Sequence, residues 1–194
     1  MDNEYINSLR ESVKGEFMGD KARYWHSIGV ADTAACLAMR YGVPMESAYI
    51  AGLLHDCAKC LSDEELLVRC SENNIPVTEY EERSPYLLHG KLGAFYAKER
   101  YNIEDVDICN AIKYHTTGRA GMSPLEEIIF IADYMEPLRN RAADLDEVRK
   151  LVFIDIKKAI YVVTKDTLEY LESNNKPIDP QTVVTYNYYK GIIG

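Results

Sequence analysis

The sequence predicts an all-α fold, a helical bundle formed by a single domain over residues 1–194, and three observations predict it. Apolar residues recur at three- and four-residue spacing along the longer segments. Helix-start signals recur, in which Ser or Asp is followed three residues later by Glu. No period-two alternation persists, and the one β-branched cluster, Thr182 to Thr185, follows a helix-start signal rather than a turn. With 194 residues, 47% of them apolar and 27% charged, the chain is long and apolar enough to bury a core. No repeat, low-complexity stretch or Pro/Gly/Ser linker divides it.

In chain order, Lys21 to Tyr41 carries Ile28, Ala31, Ala35 and Ala38 on one face, with Ala34 and Leu37 beside them, and Tyr41-Gly42-Val43-Pro44 stops it. A second helix starts after Pro44, runs through Ala48, Ala51 and Leu54, and ends around His55-Asp56; Ala51 and Gly52 let a neighbouring backbone come close. Capping boxes mark further starts at Ser62 with Glu65, Ser123 with Glu126, and Asp144 with Glu147. Ser84-Pro85 and Ser123-Pro124 put proline at the first helical position, where its missing N–H costs nothing. Segments 85–101, 104–115 and 124–136 therefore read as helices. Ile156, Ala159, Ile160, Val163, Leu168 and Leu171 trace a long helix over 154–173, ended by Asn174-Asn175-Lys176-Pro177, and Asp179-Pro180 opens a last short helix. Residues 174–194 read as a C-terminal extension of the domain.

Charge and composition narrow the function classes. With 22 Lys plus Arg against 31 Asp plus Glu, the net charge is −9, and no basic run exists to displace counterions from a nucleic-acid backbone, so no nucleic-acid partner is expected. The start, Met1-Asp2-Asn3-Glu4-Tyr5, has neither a basic nor an apolar leader region, and no stretch approaches about 20 apolar residues, so a cytoplasmic protein without membrane contact is expected. The five cysteines are an odd number without the spacing of a disulfide framework. Cys57-Ala58-Lys59-Cys60 spells C-x-x-C, but no second pair follows it, so a zinc or redox role for Cys57 and Cys60 ranks low.

The chemistry concentrates on four histidines, His26, His55, His89 and His115, each in a polar context on or at the end of an expected helix rather than on its core stripe. Asp56 follows His55 directly, and Asp133 interrupts the apolar run Ile128-Ile129-Phe130-Ile131-Ala132, where an ionised carboxylate needs a cation or several hydrogen bonds. Singly, each of these residues fits a hydrogen-bonded surface or core position. Together, spread over five helices that a bundle brings to one core, they suit a divalent ion such as Fe, Mn, Zn or Co with positions left open for water and substrate.

The motifs go further. His26, His55-Asp56 and Asp133 in this order resemble the signature of the HD-domain metal-dependent phosphohydrolases. Gly52-Leu53-Leu54-His55-Asp56-Cys57-Ala58-Lys59, Leu88-His89-Gly90, Tyr114-His115-Thr116-Thr117-Gly118 and Ala132-Asp133-Tyr134-Met135-Glu136-Pro137 resemble the YqeK branch of that family, as does the closing Pro177-Ile178-Asp179-Pro180-Gln181-Thr182. The resemblance spans essentially the whole chain and departs from the family at Cys57, where an aliphatic residue is usual.

The resemblance implies an HD-domain helical bundle that cleaves diadenosine tetraphosphate symmetrically to two ADP and uses iron. It implies His26, His55, Asp56 and Asp133 as metal ligands. His89 and His115 then either hold a second ion, with Asp56 bridging, or hydrogen-bond the phosphates and protonate the leaving oxygen. The sequence leaves one ion or two open. The reaction implied is in-line hydrolysis by a metal-activated water, with Asp56, Lys59, His89 and His115 in catalytic roles. Because the chain is acidic, the phosphates need a local basic cluster. Arg23, one turn before His26, with Lys59 and Arg139, forms one, helped by the Thr116 and Thr117 hydroxyls and by Tyr134; Gly118 ends a helix, and residues 174–194 are expected to close over the nucleotide. Oligomeric state is open, with a homodimer among the options. The competing readings are an HD nucleotidase acting on a nucleoside monophosphate, a dNTP or an NAD-related nucleotide, and a non-catalytic nucleotide or metal sensor. Cyclic-dinucleotide cleavage is disfavoured because the Gly-Tyr-Pro motif of that branch is missing.

Overall fold

In the computed structural model, residues 3–17, 19–140, 142 and 144–194 are described, and among them every regular element is helical. The order is α1 (Asn3–Glu16), α2 (Lys21–Tyr41), α3 (Met45–Leu54), α4 (Asp63–Glu72), α5 (Glu79–Arg83), a 3-10 turn (Pro85–Leu87), α6 (Leu88–Tyr101), α7 (Val106–Tyr114), α8 (Pro124–Met135), α9 (Leu145–Leu151), α10 (Ile156–Ser173) and α11 (Pro180–Ile193). The Thr182–Thr185 cluster is helical. No helix among the described residues is long and apolar enough to cross a membrane.

Helix α8 is the central element. Its run Leu125 to Ala132 is buried throughout, and α2, α7 and α10 pack around it. The capping box at Ser123 and Glu126 forms as expected, with both reciprocal bonds present, and Pro124 sits at the first turn. Helix α2 is capped by Asp20, whose side chain accepts from the Arg23 N–H. Its buried face is Ser27, Val30, Ala31, Ala34, Leu37 and Ala38, so the core stripe runs through Ala34 and Leu37 rather than beside them; Ile28 and Ala35 are half-buried. The small residues on α2 and α3 bring these two helices into backbone contact. A methyl placed on Gly52 would lie 2.8 Å from the Ala31 Cα.

Several expectations need correction. Asp144 precedes α9 without capping it: its backbone, at φ −94° and ψ 0°, is not extended as at Ser62 and Ser123, and the Tyr134 hydroxyl donates to its Oδ1 at 2.7 Å, so the box with Glu147 does not form. Segment 85–101 begins as a 3-10 turn, and the helices expected at 104 and 154 start at Val106 and Ile156, capped by Asp105 and Asp155. The last helix is 14 residues long rather than short. Two helices lay outside the sequence reading. One is α1, which docks Ile6, Leu9 and Val13 into the core, with Phe17 just beyond it; the other is α5, started by a capping box at Thr78 and Glu81. A second apolar cluster, with Leu66, Cys70, Leu88, Leu92 and Tyr96, fills the space beneath α4 and α6.

Candidate metal centre

Five helices deliver the chemistry-bearing side chains to one place. His26 lies in the second turn of α2, His55 and Asp56 follow α3, His89 is the second residue of α6, His115 follows α7, and Asp133 stands near the end of α8. The polar-context expectation fails for three of the four histidines: His55, His89 and His115 are buried, at 0%, 0% and 3% exposure, while His26 is half-buried. They are buried because they face one another across the meeting point of the helices, with ring centroids 5.2 Å apart for His26 and His55, and 4.9 Å apart both for His55 and His115 and for His89 and His115.

The hydrogen bonds orient every ring in the same sense. His55 Nδ1 lies 2.7 Å from the Gly52 carbonyl, His115 Nδ1 2.7 Å from the Ile112 carbonyl, and His89 Nδ1 faces the Tyr86 carbonyl. A carbonyl only accepts, so each Nδ1 carries the proton and each Nε2 presents a lone pair inward. His26 Nδ1 is held 3.1 Å from Glu136 Oε1. Asp133 Oδ1 lies 3.0 Å from His26 Nε2 and 3.8 Å from His55 Nε2; Asp56 Oδ2 lies 3.7 Å from His55 Nε2, while its Oδ1 lies 3.3 Å from His89 Nε2 and 3.6 Å from His115 Nε2.

This donor set fits a divalent cation. His55 Nε2 is buried with no hydrogen-bond partner, and His89 Nε2 lies 3.0 Å from His115 Nε2, an arrangement in which two lone pairs repel unless a cation or proton lies with them. Three overlapping groups, His26/His55/Asp56, His55/His115/Asp133 and Asp56/His89/His115, each bring one donor atom per residue within 4.8 Å of the others. No cysteine belongs to any of them. The Cys57 thiol is buried, turned to the Gly93 carbonyl, and pushed up by burial, so it is not a thiolate.

Electrostatics agree with the geometry. Burial pulls His55 and His89 down to about 4, so both are neutral donors near pH 7. Burial resists ionisation of Asp56 and Asp133, yet both carboxyls are held well below the usual range, Asp133 by the hydrogen bond from His26 and by Arg139, and Asp56 by its contacts within the cluster, where Arg23 donates to it. For His26, burial works against the charged form, yet the bonds to Asp133 and Glu136 carry its pKa upward.

The cluster opens into a cavity of about 960 Å³, a volume typical of small-molecule sites. Its wall includes His26, Asp56, His115 and Asp133 together with Arg23, Lys59, Thr116, Tyr134 and Arg139. Arg23 Nη1 donates to Asp56 Oδ2 at 3.2 Å, Arg139 Nη2 to Asp133 Oδ1 at 2.5 Å, and Lys59 Nζ lies 3.1 Å from His89 Nε2. Burial lowers the Lys59 pKa. Thr116 Oγ1 lies 3.0 Å from His115 Nε2, whereas Thr117 turns to the Gly118 carbonyl. Tyr134 offers its ring to the cavity, its hydroxyl being spent on Asp144. The lining residues all come from 20–167; the 174–194 segment packs on α10, where Tyr186 stacks on Tyr161, and reaches the rest of the chain by hydrogen bonds from Tyr189 to Glu127 and from Thr185 to the Thr117 carbonyl. Glu136 and Asp20 line the cavity without having been singled out in the sequence.

Comparison with known proteins places these residues in a family. The HD domain profile matches residues 23–138. A symmetrical bis(5'-nucleosyl)-tetraphosphatase of Bacillus subtilis (strain 168) is 40% identical over 167 residues, covering 86% of this chain and 88% of that protein. One of Halalkalibacterium halodurans is 41% identical over 167 residues, covering 85% and 87%. A crystal structure of a protein from Clostridium acetobutylicum, described as a predicted HD superfamily hydrolase involved in NAD metabolism, superposes with a TM-score of 0.91 at 38% identity, covering 96% of this chain and 97% of that one.

Proposed function

The chain belongs to the HD domain family and within it to the YqeK branch, and on that premise we propose that it is a divalent-metal-dependent hydrolase that splits diadenosine tetraphosphate symmetrically into two ADP. The observation that carries this reading is the convergence of inward-facing imidazole nitrogens and two carboxylates beside three cations at one cavity. His26, His55, Asp56 and Asp133 would hold the metal, with His89 and His115 available to a second ion through Asp56. Iron is our choice of metal on the family resemblance, and imidazole-carboxylate donors without thiolate suit it as they suit Mn, Co or Zn. When bound, the metal supplies Lewis acidity and lowers the pKa of water.

The chain's own residues do the rest. Arg23, Lys59 and Arg139 supply the local positive charge that an acidic protein needs to hold a tetraphosphate bridge. Each already contacts a residue of the cluster, so a phosphate entering there exchanges those contacts for its own oxygens. The Thr116 hydroxyl lies beside His115 and is placed to donate to a phosphoryl oxygen. His89, neutral near pH 7, serves as an acceptor or ligand, while Lys59, which burial makes more acidic, is the nearby proton donor. The leaving ADP asks little of a general acid, since a terminal phosphate with a second pKa near about 6 departs as an anion. Neutralising charge and aligning the attacking water therefore dominate.

The test is a substrate panel on metal-reconstituted protein: diadenosine tetraphosphate, nucleoside monophosphates, dNTPs and NAD. The proposal expects diadenosine tetraphosphate to have the highest kcat/KM and ADP to be its only nucleotide product. A monophosphate or NAD turned over about tenfold more efficiently would replace it with another HD nucleotidase activity, and tight nucleotide binding without turnover would replace it with the sensor reading.

A further inference from the structure

Three of the four histidines share one way of fixing their rings. His55, His89 and His115 each direct Nδ1 at the carbonyl three residues earlier, that of Gly52, Tyr86 and Ile112. His55 and His115 can do so because they follow the C-terminal ends of α3 and α7, where the last carbonyls lack an intrahelical partner, and His89 because the Tyr86 carbonyl belongs to the 3-10 turn just before α6. His26 cannot, because it lies inside α2. Its Nδ1 instead meets a carboxylate brought from 110 residues away, Glu136 Oε1 at 3.1 Å. Glu136 follows α8 at 1% exposure, and its other oxygen, Oε2, accepts the Leu138 N–H at 2.7 Å. One carboxylate thus ties the His26 ring to the loop that carries Arg139, whose Nη2 lies 3.4 Å from His26 Nε2. Gly29, one turn after His26 on α2, makes the room, since a methyl there would stand 2.5 Å from Glu136 Oε2.

We propose that Glu136 is a positioning residue for the metal centre: its carboxylate fixes His26 in the Nδ1–H tautomer, aims Nε2 at the ion and raises the ring's strength as a ligand, while Gly29 is the residue that admits it. A carboxylate is a stronger acceptor than the carbonyls serving the other rings, so His26 becomes the most electron-rich of the four imidazoles. The inference rests on His26 being a metal ligand.

The experiment measures Mn²⁺ affinity of metal-stripped protein by competition with a chromophoric chelator, for wild type, Glu136→Ala, Glu136→Gln and Gly29→Ala. Loss of an outer carboxylate of this kind costs about 10–100-fold in metal affinity, which is the expectation for Glu136→Ala. Gly29→Ala should do the same while leaving the carboxyl in the protein, since the new methyl displaces only the tip of the Glu136 side chain. Glu136→Gln should lose less, because its amide oxygen still accepts from Nδ1 although its NH2 then opposes the Leu138 N–H. Histidine ¹⁵N spectra of the Zn²⁺-loaded proteins give a second readout: a protected His26 Nδ1–H in wild type and Glu136→Gln, lost in Glu136→Ala. Should Glu136→Ala fail to fold, Gly29→Ala and Glu136→Gln decide. Affinity within twofold of wild type in folded Glu136→Ala or in Gly29→Ala, or unchanged protection of the His26 Nδ1–H in Glu136→Ala, overturns the proposal. A wild-type protein that takes up no Mn²⁺ overturns the metal reading itself, and this inference with it.

Discussion

Replacing Gly52 by alanine should disturb the centre from the far side of a helix interface. Helix α2 supplies His26, and α3 ends in His55 and Asp56, so the α2–α3 spacing sets the distance between the first ligands. A methyl on Gly52 would lie 2.8 Å from the Ala31 Cα and 3.0 Å from its nitrogen. Both are backbone atoms, so no rotamer change relieves the clash. Ordinary carbon contacts begin near about 3.4 Å, so the two helices must part by about 0.6 Å. Overpacking of this kind costs about 1–3 kcal/mol. At about 2–4 °C per kcal/mol for a chain of this size, Tm should fall by about 2–12 °C. A misplacement of about 1 Å costs about 100-fold in rate, so a shift of half that size should lower kcat/KM on diadenosine tetraphosphate by about tenfold. The assay pairs thermal melting of the metal-free protein with steady-state hydrolysis. Gly15→Ala is the control, because its methyl would meet nothing within 4 Å. Wild-type Tm and kcat/KM in Gly52→Ala would show that the close approach of α2 and α3 does not set the ligand geometry.

Other variants test the remaining parts. Asp133→Ala and His26→Ala should each lower turnover by at least about 100-fold with helical circular dichroism retained, and a fully active variant of either would refute the ligand assignment. The double replacement Cys57→Ala and Cys60→Ala should keep bound metal and turnover, at a stability cost of about 1 kcal/mol for the buried Cys57; loss of metal would favour a thiol site instead. The metal-free protein should lose stability as pH falls from about 6.5 toward about 4. In that window the unfolded chain protonates His55 and His89, while the folded chain, where burial holds them at about 4, does not. His26, raised on folding, works in the opposite direction, and the depressed Asp56 and Asp133 lose their stabilising share only below about 3.8. Burial also raises the carboxyls of Asp166, to about 6, and of Glu127 and Asp179, which oppose the loss in the same window, but the two fully buried histidines outweigh these less buried groups, so urea unfolding of the metal-free protein should give a lower ΔG at pH 5 than at pH 7, and the reverse order would contradict the burial argument.

Local signals were legible in the sequence to the extent that their partners are local. The capping boxes at Ser62 and Ser123 read correctly because donor and acceptor lie three residues apart. Asp144 does not cap because its backbone is not extended there and Tyr134, ten residues away, takes one of its carboxylate oxygens. The histidines read as polar-context residues because sequence shows each one's neighbours along the chain, whereas burial comes from four other helices. Glu136 stood inside a quoted motif without a role, since its partner His26 lies 110 residues off and nothing local pairs them. Helix α1 went unread although Ile6, Leu9 and Val13 carry helical spacing; its apolar residues are sparse, and docking on α3 supplies what its own pattern does not.

Four histidines and two aspartates on five helices form a centre that would hold one or two divalent ions where a tetraphosphate bridge is cleaved at its middle. Anaerobic purification, metal analysis of the protein and chromatography of the products from diadenosine tetraphosphate test it most directly. About one to two ions of iron or manganese per chain, and ADP as the only nucleotide released, are the expected result. AMP with ATP would contradict the symmetrical cleavage, and full turnover by protein free of divalent metal would contradict the centre itself.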